Sequence, residues 1–237
     1  MHINEYIILF FAVLASGMSF FLLKKIKPQT LKLALSFTGA FLFAISVMHL
    51  IPAVYLSGGK SIGLFILIGF FIQLLIEYFS EGIEHGHIHV HENHHHAFPL
   101  TMMIGLCIHS FLEAMPLGDN DLMHAHNESL FYGIILHHIP VAVALMSMLK
   151  SSHITTPVAV FCLVIFAAMP PLGALSSSFL SENLIADLSQ YYNYIMAIVI
   201  GIFLHISTTI LFESNEEHRF NTIKLVVIVA GAALAFV

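Results

Sequence analysis

The sequence predicts an all-α membrane protein, a bundle of eight transmembrane helices with the N- and C-termini outside. Composition comes first: apolar residues make up 58% of the 237 residues and charged residues 9%, against about 25% charged in a soluble domain. Mean hydropathy is +0.91. Second, the apolar residues gather into runs that, at about 1.5 Å of helix rise per residue, can cross a hydrocarbon layer of about 30 Å. Third, the few basic residues segregate to one side. The chain reads as a single transmembrane domain over residues 1–237, with a His-rich cytosolic loop at 81–96 between helices three and four.

The first run, Tyr6 to Leu23, has no Lys or Arg in the flank before it, and Lys24, Lys25 and Lys27 follow it. It therefore reads as a retained helix rather than a signal peptide. The second run, Leu31 to Leu56, carries His49-Leu50-Ile51-Pro52 and ends at the turn residues Ser57-Gly58-Gly59. The third, Ile62 to Phe79, leads into Glu81, Glu84, His85, His87, His89, His91, Glu92 and His94-His95-His96. This tract has no apolar period and reads as a loop.

A fourth run from about Phe98 to Gly118 contains His109 and Glu113. Asp119 to Glu128 reads as a polar loop with His124 and His126, and the fifth run, Leu130 to Leu149, contains His137-His138-Ile139-Pro140. The sixth spans about Pro157 to Ser176, and Pro170-Pro171 is expected to kink or break it. The seventh, Tyr191 to Phe212, holds His205, and the eighth runs from Thr222 to Val237. With eight crossings, Lys24, Lys25, Lys27, Lys32, Lys150, Arg219 and Lys224 share one side and Lys60 lies on the other. The positive-inside rule makes the first side cytosolic, with both termini outside and the His tract inside.

These features narrow the function. No basic patch supports a nucleic-acid partner, and no P-loop is present. Cys107 and Cys162 both lie in apolar runs, which indicates neither a disulfide framework nor a thiolate zinc site. Methionines scattered through the runs read as core filler. Histidine is the anomaly: 17 histidines exceed the 8 lysines and arginines combined.

His109 and Glu113 stand at i and i+4, so both side chains lie on one helix face and can close on a common cation. Ionisable groups at membrane depth cost about 3 kcal/mol or more each on insertion scales, which makes them functional candidates. From the assigned orientation, His109 lies roughly 16 Å along the fourth helix from the cytosolic face and His137 roughly 11 Å along the fifth from outside. In a core of about 30 Å the two therefore meet near one level. Imidazole nitrogens with a carboxylate suit Zn²⁺ or a neighbouring first-row divalent ion. Pro140 removes the backbone N–H that would bond the Leu136 carbonyl, beside the histidine pair, and Pro116 follows Glu113 near a helix end.

This pattern, His109-Ser110-x-x-Glu113 followed by His137-His138-Ile139-Pro140, resembles the ZIP (Zrt/Irt-like) family of divalent-metal transporters. His49-Leu50-Ile51-Pro52 and Gly201-x-Phe203-Leu204-His205 support the resemblance. It implies eight helices, outside termini, a His-rich cytosolic loop and a homodimer. It also implies that His109, Glu113 and His137 ligate the metal directly, with Ser110 and His138 where relatives often carry a ligand for a second site. Val141 stands where binuclear members have a bridging carboxylate, the sixth helix offers none, and Ala114 replaces a usual glycine. One metal at the midplane is therefore expected.

The expected function is transport of Zn²⁺ from outside into the cytosol across the cell membrane, the metal being substrate rather than cofactor. Fe²⁺, Mn²⁺ and Cd²⁺ suit the same donors. Because the ligands bind only when deprotonated, metal binding would couple to protons. The competing reading is a membrane-embedded metalloenzyme, a di-iron oxygenase or zinc hydrolase, against which stands the lack of His-Glu-x-x-His. His49 fits a ligand on the outer approach and equally a satisfied interfacial histidine. His205 and Glu213 fit an exit relay with Glu77, or helix-end residues paired with one another. His85, His87, His89 and His91 fit a cytosolic metal buffer or sensor. Asp119, Asp121, His124 and His126 fit a plain outer loop and, as the alternative, one that gathers cations electrostatically.

Overall fold

The computed structural model describes residues 2–22, 27–57, 59–80, 100–118, 124–183, 188–212 and 222–236. All regular elements among them are helical. In order they are α1 (Ile3–Met18), α2 (Pro28–Ile45), α3 (Ile51–Ser57), α4 (Ile62–Ser80), α5 (Leu100–Ala114), α6 (His124–Ser151), α7 (Thr156–Asn183), α8 (Leu188–Phe212) and α9 (Thr222–Leu234). A π turn, Ser46–Leu50, joins α2 to α3, so Pro28–Leu56 is one span. Among the described residues, six helices are long and apolar enough to cross a membrane, and Ile62–Tyr78 and Thr222–Leu234 are shorter apolar helices. The described residues form helices throughout their regular structure, and the chain is a multi-pass membrane protein.

Local signals set the helix ends. The Glu5 carboxylate accepts the His2 backbone N–H at 2.7 Å at the start of α1, and Pro28 opens α2 at a position where a missing N–H costs nothing. α5 ends just after Glu113 and tightens into the 3₁₀ turn Met115–Gly118 that contains Pro116. The turn between α6 and α7 places His153 at φ 57°, and the Lys150 ammonium bridges it by donating to the Ile154 carbonyl and Thr156 Oγ1.

Two expectations change. Of the kink or break expected at Pro170-Pro171, the break does not occur: α7 runs through both prolines, because in an apolar surround continuing the helix satisfies more backbone groups than ending it. His124 to Glu128, expected in a loop, form the first turn of α6.

The helices pack in two groups. α1, α5, α6 and α7 pack against one another, as do α2, α4, α8 and α9, with α2–α6 and α4–α5 contacts joining the groups. Without water to expel, helices in lipid associate through close packing of small residues. Gly69 on α4 lies where a Cβ would meet the Ile198 carbonyl of α8, and a Cβ on Gly201 of α8 would meet the Ile66 carbonyl of α4. The two backbones are thus in direct contact, and their register is fixed.

Polarity is inverted relative to a soluble domain. α4 exposes Leu64, Leu67, Phe71 and Leu75 on one face and buries Gln73, while α9 exposes Ile223, Val226 and Val229. His109, Ser110, Glu113, His137, His138, His205 and Ser207 are all buried. Cys107 is half-buried and Cys162 buried, and both are free thiols.

Candidate metal centre

Facing turns of α5 and α6 build the centre. On α5, the i, i+4 spacing puts the imidazole of His109 over the carboxylate of Glu113, with Nε2 3.1 Å from Oε1. On α6, His137 turns toward them, and one potential ligand atom from each of His109, Glu113 and His137 lies within 4.8 Å of the others. All three residues are 0% exposed. The rings of His109 and His137 meet edge to face, centroids 5.9 Å apart.

His138, next in α6, points to another side of Glu113, with Nε2 3.8 Å from Oε2. Its Nδ1 lies 2.8 Å from the Ile134 carbonyl of its own helix. A carbonyl only accepts, so Nδ1 carries the proton, and Nε2 is left to accept the Ser110 hydroxyl at 2.7 Å. The Ser110–His138 pair is therefore mutually satisfied, and Phe166 stacks on the ring at 5.6 Å.

The Glu113 carboxylate sits among imidazoles with no lysine or arginine among the buried described residues. Neither of its oxygens has a hydrogen-bond partner among the described residues. A buried carboxylate that stays ionised needs a compensating positive species. The donor set, two imidazoles and a carboxylate converging in a small volume, is what a first-row divalent cation uses.

The family profile of the ZIP zinc transporter matches residues 99–237, which takes in α5 to α9 and the whole donor set. The chain belongs to the ZIP zinc transporter family. ZIP proteins are divalent-metal transporters rather than enzymes, so the metalloenzyme reading is set aside and the metal is substrate. No curated protein matches the chain.

Other sequence candidates of this ZIP protein fall elsewhere. His49 lies in the π turn, and its Nε2 is 2.9 Å from the Ala235 carbonyl beyond α9. That contact fits the satisfied histidine better than a ligand. His205 on α8 pairs with Glu77 on α4, Nε2 to Oε2 at 3.4 Å, with Phe70 edge-on to the ring at 4.7 Å. Gly69 and Glu77 are two turns apart on α4, and Gly201 and His205 one turn apart on α8, so the glycine contact sets the register that makes this pair. Val141 is buried one turn beyond His137 and supplies no carboxylate. Glu213, His85, His87, His89 and His91, with Asp119 and Asp121, lie outside the described residues, as do the side chains of His124 and His126.

One residue at the centre escaped the sequence reading. Gln73 of α4 is 0% exposed, and its Oε1 lies 3.1 Å from His109 Nδ1. The signal was a lone amide inside the third apolar run, one turn before Glu77.

Proposed function

We propose that this ZIP protein carries Zn²⁺ from outside into the cytosol across the cell membrane, binding it at His109, Glu113 and His137. The convergence of these three buried side chains within 4.8 Å carries the proposal. Eight crossings with both termini outside would put α5 and α6 antiparallel across the bilayer, with the 81–96 tract in the cytosol. One ion binds at a time, because Val141 supplies no bridging carboxylate and the Ser110 hydroxyl occupies His138 Nε2. Ser110 and His138 border the site and complete its polar wall.

Release follows α4. Glu77 and His205 present the next imidazole and carboxylate toward the end of α4 from which the His tract departs. Glu213 and the tract histidines His85, His87, His89 and His91 then receive the ion on the cytosolic side. His49 holds the α2–α9 contact rather than binding metal. A homodimer in the bilayer is the proposed assembly.

Flux into sealed liposomes holding the purified protein tests this reading. Zn²⁺ is expected to enter without any organic substrate, with Cd²⁺ competing and Mn²⁺ entering more slowly, because Mn²⁺ is the weaker binder of imidazole donors. Zn²⁺ flux equal to that of protein-free liposomes would overturn it.

A further inference from the structure

We propose that Gln73 is a positioning residue for the metal site: its amide oxygen holds His109 in the tautomer and orientation that turn Nε2 toward Glu113. The inference rests on His109, Glu113 and His137 being the cation site. Gln73 is fully buried on α4, with the buried Gly69 and Ile76 beside it and Glu77, which faces His205, one turn on. Burying an amide is costly unless it is hydrogen-bonded, and its carbonyl oxygen meets His109 Nδ1 at 3.1 Å.

The chemistry follows from donor and acceptor roles. With the carbonyl oxygen of Gln73 facing it, Nδ1 must carry the proton, and a neutral imidazole protonated there has its lone pair on Nε2. Nε2 is the nitrogen 3.1 Å from Glu113 Oε1. Two ligand atoms bound tetrahedrally at about 2.0–2.1 Å stand about 3.3 Å apart. The pair is therefore set within a few tenths of an ångström of a ligand edge.

Metal-binding histidines regularly donate their second N–H to a carbonyl or carboxylate, which fixes the ring and strengthens the ligand. His138, which borders the site, meets an acceptor in its own helix, at Ile134. His109 finds it on α4, a helix of the other packing group. Gln73 thus ties the ring angle of a ligand on α5 to the position of α4, which Gly69 seats against α8. The reverse amide orientation would present an N–H to Nδ1, put the ring proton on Nε2 and leave no lone pair for a metal.

Co²⁺ titration of the purified full-length protein, followed by visible absorption, tests the assignment, with thermal midpoints measured alongside. Gln73→Met keeps the volume and removes the acceptor, and is expected to weaken Co²⁺ binding by about 10- to 100-fold. Gln73→Glu keeps an acceptor for Nδ1–H and is expected to bind within about threefold of wild type. Wild-type affinity in Gln73→Met would overturn the proposal. So would Gln73→Glu binding as weakly as Gln73→Met while its thermal midpoint stays at the wild-type value. Should Gln73→Glu fail to fold, the Gln73→Met titration decides alone. The His109→Ala protein separates the two levels: if it retains wild-type affinity, the site reading itself fails and the role of Gln73 falls with it.

Discussion

Two histidine–carboxylate pairs among the described residues are made in different ways. His109 and Glu113 lie one turn apart on α5, 3.1 Å between facing atoms, both fully enclosed. His205 and Glu77 come from α8 and α4, face each other at 3.4 Å, and leave the Glu77 side chain 22% exposed. The i, i+4 spacing of one helix puts the first pair on a common face, and Gln73 of α4 meets the other nitrogen of its imidazole. Close backbone contact at Gly69 and Gly201 brings together the two helices that carry the second. A pair built within one helix keeps its backbone spacing wherever that helix sits. A pair shared between helices depends on how those helices are held together.

The largest effect should come from the first pair. Glu113→Ala or His109→Ala is expected to abolish metal uptake while the protein still reaches the membrane, scored by uptake at limiting zinc against surface-labelled protein. Wild-type uptake by either variant would remove the pair from the transport site.

The glycine contact is the next most sensitive point. Gly201→Ala drives a Cβ into the Ile66 carbonyl, and such overpacking costs about 1–3 kcal/mol. The expected result is a lower thermal midpoint in detergent together with slowed uptake; an unchanged midpoint would mean that the register of α4 and α8 does not rest on the glycines. A smaller change tests the second pair directly. Glu77→Gln is expected to slow turnover by about two- to fivefold, the range of a partly exposed ion pair, with zinc affinity at the central site unchanged. Affinity falling in step with turnover would merge the two pairs into one site.

Ser110→Ala should be the mildest. It removes the hydroxyl on His138 Nε2, at a stability loss of about 1 kcal/mol, and leaves zinc affinity in isothermal titration at the wild-type value. A marked drop in affinity would show that Ser110 or His138 takes part in binding.

The pair on α5 was legible because an i, i+4 spacing within an apolar run carries its own geometry, whatever surrounds it. His137 was placed beside it by a depth argument that needed only the lysines and the helix rise, and the structure brings the three residues together. The sequence was less informative at helix ends. α6 starts at His124 and α7 passes through Pro170-Pro171, because a polar first turn and a proline pair look like breaks until the surrounding helices supply the alternative to breaking.

What the sequence determined by itself was the membrane class, the apolar segments, the family pattern and the His109–Glu113 face. Each depends on composition or on neighbours within a turn. Only the tertiary structure decided that Gln73 faces His109, that Glu77 reaches His205, that His49 bonds the Ala235 carbonyl, and that Ser110 occupies His138 Nε2. Those contacts join residues on different segments of the chain. Their register is set by how closely the backbones approach, and a one-dimensional pattern carries no measure of that approach.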